Sequence, residues 1–592
     1  MLFGRHINRY YFKYGWMLLI GIVALVVIDY FQLIIPELYR MVVNGMNSGE
    51  VETGGEVFAF DMDFLLMRIC LPLIIIILVM VFGRFLWRIC FFGSAIKVET
   101  DIREKMFDRC KNLSRQYYQV NKVGNLMSLF TNDLETVQDC FGMGILSLMD
   151  AAVLGGMTLF KMWKMDFRLT LLSLIPMALL LFGGIVIGKY MIKKWESRQA
   201  AFSHLSDFSQ ESFSGISVIK AFVKEFKELL AFRALNKRNE DVNVEYTKLS
   251  TLLTVAVTLL VESVICIILG FGGYLVFEGA FDAGELVEFI GYFTTLVWPV
   301  MAVSQLIEMT SRGRASLNRI SELLDAKQDV ADGADVTSVG ELSGKIEFKN
   351  LTFRYPAAAY NALENVSFVI ERGQSVGLVG RAGSGKTTIV DLILRTYNVP
   401  DGTLFIDGYD VNKIPIRDVR EATAYVPQDN FLFSDTILNN ICFSGEGLME
   451  EAEAAARLAD VHDNIAQFKD GYQTMLGERG VTVSGGQKQR ISIARALMKK
   501  SKILILDDSV SAVDTKTERN ILQNLKTERE GSTTILIAHR ISTVENLDKI
   551  IFVDEGRVLG CDTHENLYKN CPEYKKTVDL QRIEDEGRGG DA

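Results

Sequence analysis

Apolar residues recur along the first half of the chain in runs of roughly the 20 residues that a bilayer-crossing helix needs. Six such runs stand out: Trp16 to Pro36, Leu65 to Trp87, Phe141 to Met162, Leu169 to Gly188, Leu252 to Phe277 and Leu286 to Leu306. They predict six membrane helices. The first is too long, and too far from any small-residue cleavage site, to be a signal peptide. The stretches from Phe92 to Cys140 and from Lys189 to Ser250 are long and charged, yet they keep a helical pattern. The membrane helices are therefore expected to continue as helix well into water there. From about Leu342 the pattern changes to short strands alternating with helices, behind a linker rich in Asp, Ala and Gly. The predicted organisation is a transmembrane domain over residues 1–324, a linker over 325–341, an α/β domain over 342–580 and a charged tail over 581–592.

Lysine and arginine near the helix ends set the orientation. Arg5, Arg9 and Lys13 precede the first run, and the long loops carry Lys97, Arg103, Lys105, Arg109, Lys111, Lys193, Lys194 and Arg198. The loop after the first run has Arg40 alone against Glu37, Glu50, Glu52, Glu56, Asp61 and Asp63, and the turn from Glu278 to Glu285 has no basic residue. The N-terminus, the long loops and the C-terminal half are therefore expected in the cytosol. Lys161, Lys164 and Arg168 dissent, because this topology puts them outside.

A hydrophobic share of 49% beside a charged share of 23% fits a membrane part and a soluble part averaged together. A net charge of −10 argues against a nucleic-acid partner, which needs a basic face. Eight cysteines, none at zinc spacing, form no disulfide framework. Asp29, Asp150 and Glu262 fall inside predicted spans, where an unpaired charge is costly. They are expected to face a cavity, where they would favour cationic or amphipathic cargo, or to pair with Arg84 or Arg88, or to hydrogen-bond between helices. Trp298 and Pro299 mark a kink in the sixth helix.

The chemistry lies in the second half. An apolar strand from Gln374 to Val379 leads into Gly380, Arg381, Ala382, Gly383, Ser384, Gly385, Lys386, Thr387 and Thr388, and a helix follows. Strand, glycine-rich loop and helix in that order define a phosphate-binding loop. Its backbone N–H groups and helix N-terminus converge on phosphate oxygens. Lys386 is expected on the β- and γ-phosphates, and Thr387 on Mg²⁺. A second strand, Ile503 to Leu506, ends in Asp507 and Asp508, and a carboxylate there suits the Mg²⁺ shell. Between the two, Ser484, Gly485, Gly486 and Gln487 open a helix whose N-terminus is a further anion site.

Together these residues resemble the motifs of the ATP-binding cassette (ABC) superfamily. Over about residues 10–580 the chain is similar to an exporter-type half-transporter, six membrane helices followed by one cassette. The resemblance implies an all-α transmembrane domain with long cytosolic extensions, joined to an α/β P-loop NTPase domain of ABC type. It implies ATP and Mg²⁺, a place in the cytoplasmic membrane of a bacterium, and further site residues. Tyr355 matches the aromatic that stacks on adenine. Gln428 matches the loop residue that senses Mg²⁺ and touches the membrane domain. Thr474 to Gly480 matches an exporter-specific loop, Asp514 the loop that crosses to the partner cassette, and His539 the switch histidine near the γ-phosphate. Short contact helices are implied near Tyr117 to Val123 and near Phe213 to Ile216.

In that family two cassettes enclose two ATP molecules, each between one chain's P-loop and the other chain's Ser-Gly-Gly signature. A second half-transporter is therefore implied as partner. Two departures matter. The signature begins with Val483 where the family usually has Leu, and Asp508 stands where it usually has the catalytic Glu. A side chain one methylene shorter reaches the attacking water less well, while the phosphate and Mg²⁺ ligands are intact. The combination resembles the degenerate half of heterodimeric multidrug exporters. A homodimeric lipid or peptide exporter remains an alternative, although no peptidase segment precedes the first run. A nucleotide-binding regulatory or gating subunit is the alternative of another class.

Overall fold

The computed structural model describes residues 4–53, 56–356, 358–445, 448–477, 480, 482–511 and 513–589. They form two compact units. One comprises Met1–Lys111 with Gly124–Asp325, and the other comprises Asn112–Val123 with Ala326–Ala592.

The first unit is helical. Five helical stretches are long and apolar enough to cross a membrane: Gly15–Ser48, Met62–Lys111, Val123–Met165, Glu225–Phe277 and Ala283–Asp325. The fourth predicted span falls on the helix Phe167–Ser214, whose segment Phe167–Leu179 is apolar. The side chains of residues 180–189 lie outside the described set. Helix length accounts for the long charged loops. Phe167–Ser214 has 48 residues, or about 72 Å at 1.5 Å per residue, against about 30 Å of hydrocarbon. Its charged half therefore stands in water as a continuation of the same rod. Gly45 leaves room for the Phe60 ring, and Gly291 for Pro36, so these helices close on neighbours at positions that tolerate no Cβ.

A core of Leu169, Val264, Ile268, Phe289, Tyr292 and Phe293 joins the helical stretches Phe167–Ser214, Glu225–Phe277 and Ala283–Asp325. Beside it, Lys161 donates to Glu37 at 2.5 Å, the Tyr292 hydroxyl donates to Glu288 at 2.8 Å, and Arg40 pairs with Glu288 at 3.1 Å. Lys161 is thus matched by a carboxylate of the Gly15–Ser48 stretch. One further feature departs from the sequence expectations. A two-stranded hairpin, Glu50–Thr53 with Glu56–Ala59, occupies the connection after the first span. Asp29 and Asp150 are buried, but Arg84 and Arg88 are exposed and form no ion pair with them among the described residues. Instead the Trp298 indole N–H donates to Asp150 at 2.9 Å, within the Pro299-containing helix Ala283–Asp325. Glu262 is exposed on the helix Glu225–Ile267.

The second unit is α/β. A six-stranded sheet has the order Arg557–Asp562, Lys549–Asp554, Ser375–Val379, Thr533–Ile537, Ile503–Asp507, Thr423–Val426. Its pairs are parallel except at the Arg557–Asp562 edge. The inner strands read as unbroken apolar runs because both faces are covered. A four-stranded antiparallel sheet, including Ile346–Phe353 and Leu363–Ile370, packs through Phe348 into one core with Ile389 and Val390 of the helix Lys386–Ile393. Parallel pairing brings the C-terminal ends of Ser375–Val379, Thr533–Ile537 and Ile503–Asp507 to one edge. That is where ligands bind in open α/β sheets.

Candidate nucleotide site

The loop after Ser375–Val379 needs glycine at particular points. A Cβ on Gly380 would collide with the Val553 carbonyl oxygen, and Gly383 and Gly385 have φ of +77° and +103°. L side chains rarely adopt that conformation. The chain then enters the helix Lys386–Ile393. Lys386 is buried at the helix start, and its ammonium donates to the carbonyls of Gly380 and Arg381 at 2.8 and 2.7 Å. Burial pulls its pKa down, and the charges of Asp507 and Asp508 oppose that. The Ser384 hydroxyl is buried with no hydrogen-bond partner among the described residues, an orphan group that a phosphate oxygen would satisfy. Thr387 and Thr388 fill the first helical turn, while Arg381 and Ala382 are exposed on the loop.

Asp507 closes its strand 2% exposed. The Tyr425 hydroxyl donates to its carboxylate at 3.4 Å. Burial pushes this carboxyl above the ordinary carboxylate range. Asp508 turns out of the strand at φ +47°. Its amide donates to the Ile537 carbonyl at 3.1 Å, and its carboxylate accepts from the exposed Gln428 amide at 3.3 Å. The hydroxyl of Thr387, the carboxylate of Asp507 and the side-chain carbonyl of Gln428 are hard oxygen donors, a set that suits Mg²⁺.

Ser484 caps the helix Gly485–Met498 reciprocally. Its hydroxyl accepts from the Gln487 amide at 3.3 Å, and the Gln487 side chain accepts from the Ser484 amide at 3.0 Å. Gly485 and Gly486 follow, and Gly485 borders a cavity of about 590 Å³ together with Gln428, Asn430, Gln489 and Asp508. Tyr355 is half-buried. Its hydroxyl lies 2.9 Å from that of Thr388, and its ring meets Phe353 and Tyr397 edge-on. Asp514 caps the helix Thr515–Glu528. His539 is exposed just past Thr533–Ile537. In the predicted exporter loop, Glu478 and Arg479 lie outside the described residues, and Leu476 donates to the Asp435 carbonyl at 2.9 Å.

The structure therefore gathers Lys386, Thr387, Asp507, Asp508 and Gln428 at one sheet edge, with the signature helix bordering the same cavity. Sequence reasoning missed the partners that hold this edge from outside. A helix at Arg115–Val120 belongs to this compact unit. Arg115 reaches Asp391, on the P-loop helix, at 2.7 Å, and the Tyr397 hydroxyl donates to Gln119 at 2.9 Å. Asp391 is 4% exposed, and burial raises its pKa against the Arg115 charge. The second expected contact segment is broken at Gly215, between helices ending at Ser214 and starting at Ile216, with Phe213, Ile216 and Phe222 exposed. Gln489 donates to the Asp508 carbonyl at 3.1 Å, and Gln581 bonds to the His539 backbone. No spacing rule announces pairs so far apart in sequence.

A bundle of membrane-crossing helices carried on the same chain as a P-loop cassette of this topology defines the half-transporter class of ATP-driven membrane pumps. Comparison with known proteins agrees. The family model for the ABC transporter transmembrane region matches residues 18–300, and the model for the ABC transporter matches residues 363–511. The chain is 35% identical to the probable multidrug resistance ABC transporter ATP-binding/permease protein YheI of Bacillus subtilis, over 98% of both chains. It is 34% identical to the multidrug resistance-like ATP-binding protein MdlA of Escherichia coli, over 97% of this chain and 96% of the other. Among solved structures, a bacterial Atm1-family ABC exporter with ATP bound superimposes with a TM-score of 0.77 at 25% identity, covering 97% of this chain and 98% of that one. The chain belongs to the ABC transporter superfamily as an exporter-type half-transporter.

Proposed function

We propose that this chain is one half of an ATP-driven exporter of hydrophobic or amphipathic small molecules, paired with a second, different half-transporter. In this reading the nucleotide site built on its own P-loop turns over slowly. The N-terminus and cassette face the cytosol of a bacterium, and the division of labour falls near residues 324 and 342. Tyr355 stacks on adenine, and residues Gly380 to Thr388 cradle the phosphates. Thr387, Asp507 and Gln428 hold Mg²⁺, which when bound neutralises phosphate charge. Ser484 to Gln487 present the signature to the partner's ATP, while His539 and Asp508 face the γ-phosphate side. The observation that carries the reading is the pairing of an intact P-loop with Asp508, whose short carboxylate is engaged by Gln428.

Isolating tagged chain from its native membranes tests the pairing. A second half-transporter of similar size, with Glu after its own strand-ending Asp, is expected in the complex. Recovery of a complex containing only copies of this chain would contradict it.

The contact through Arg115 gives a second prediction. Arg115→Ala leaves the buried Asp391 without its cation, which costs about 1–3 kcal/mol. It should loosen the helix Arg115–Val120 from the P-loop helix while leaving the phosphate ligands in place. Cargo moved per ATP hydrolysed is expected to fall severalfold, with nucleotide affinity within about twofold of normal. Arg115→Lys should recover part of the loss. Equal falls in transport and ATP affinity would place the defect in the nucleotide site instead.

A further inference from the structure

The helix Pro572–Gly589 is the last described element, and Tyr574, Val578 and Gln581 share one of its faces by their spacing of four and three residues. Tyr574 and Val578 are 0% and 1% exposed, in a core with Ile541, Val544 and Phe552. The Tyr574 hydroxyl lies 2.8 Å from the His564 ring nitrogen, and its ring meets Phe552 edge-on. Asp579 accepts from the Tyr568 hydroxyl at 2.8 Å. The helix is thus fixed in two places before it reaches Gln581.

There the apolar stripe gives way to an amide. Gln581 Nε2 donates to the His539 carbonyl at 2.7 Å, and its Oε1 accepts from the Ile541 amide at 2.8 Å. One side chain therefore pairs with an acceptor and a donor two residues apart, as a neighbouring strand would. The sheet ladder is running out at this point. The Ala538 amide reaches the Leu378 carbonyl only at 3.4 Å, and Ile541 is the first residue of a helix whose N-cap, Arg540, makes no side-chain cap. Gln581 takes both roles and spans the backbone on either side of Arg540.

We infer that Gln581 is a positioning residue for His539. Its amide sets the backbone from which the imidazole meets the γ-phosphate, so the C-terminal helix belongs to the nucleotide machinery. The inference rests on the nucleotide-site reading above and adds a residue to it from outside the cassette motifs.

The test uses the assembled full-length transporter in nanodiscs. Photoreactive 8-azido-ATP labels this chain at its own site, and ATP or ADP competes. Because only ATP carries a γ-phosphate, the ATP-over-ADP preference reports on His539 whether or not the site hydrolyses. Gln581→Ala is expected to lower that preference about tenfold, the worth of one hydrogen bond to a charged phosphate, with ADP competition unchanged. His539→Ala should lower it at least as far, and Gln581→Ala added to His539→Ala should lower it no further. Gln581→Glu, which keeps the acceptor for Ile541 and loses the donor to His539, should fall between and covers the case in which the alanine variant misfolds. An unchanged preference in Gln581→Ala, or an equal further loss in the His539→Ala background, would overturn the inference. Failure of the unaltered chain to take the label would overturn the nucleotide-site reading and the inference with it. Normal labelling with an unmoved preference would defeat the positioning role of Gln581 alone.

Discussion

Lys386→Ala is expected to reduce ATP affinity at this chain's own site by about 10²-fold and to bring transport by the assembled pump to background. The ammonium sits 6% exposed at the helix start, and its partners are the loop's own carbonyls at 2.7 and 2.8 Å. A charge held that close to the loop axis meets phosphate oxygens with little rearrangement. About 3 kcal/mol of charge-assisted bonding corresponds to the 10²-fold loss. The fold should survive, since the surrounding core of Ile389, Val390 and Ile393 is apolar and independent of the lysine. Competition binding on this chain and dye flux through the pump read the two effects. Normal transport by the variant would show that nucleotide at this site does not drive the cycle.

The second large effect separates the two nucleotide sites. Ser484→Arg is expected to cut the ATPase rate of the assembled pump by at least about 10²-fold, whereas Asp508→Ala should change it by less than about twofold. Ser484 is exposed at the mouth of the helix Gly485–Met498, so a bulky cation there obstructs the partner's ATP and breaks the reciprocal cap with Gln487. Asp508 is held toward Gln428 at 3.3 Å and is one methylene shorter than a glutamate, so its removal costs a site that is already slow. ATP binding measured beside the rates guards against a disturbed Mg²⁺ shell. If Asp508→Ala removed nearly all hydrolysis while ATP still bound, a symmetric pump using Asp508 as its base would replace the asymmetric one.

Much of this was legible in the sequence, and physical chemistry explains which part. The P-loop could be read because strand, glycines, lysine and helix are contiguous, and each glycine meets a local steric demand, such as the Val553 carbonyl against Gly380. The spans could be read because lipid imposes a length and an apolarity on every residue of a run. What could not be read are the long-range polar pairs. Arg115 with Asp391 and Gln581 with His539 depend on how distant segments pack, and neither member carries a mark of its partner. The same holds for the pair of Lys161 with Glu37. For Asp29 and Asp150 the sequence leaves a cavity, Arg84 or Arg88, and a hydrogen bond between helices all open. The helices turn those arginines outward and offer the Trp298 N–H to Asp150 instead.

The central claim is that ATP at this cassette drives cargo outward. Inside-out membrane vesicles carrying this chain with its partner test it with one measurement, the ATP-dependent uptake of a cationic amphipathic dye. Uptake should require ATP and Mg²⁺, and it should vanish in vesicles carrying Lys386→Ala. Dye uptake that proceeds equally without ATP, or equally in the Lys386→Ala vesicles, would contradict the account.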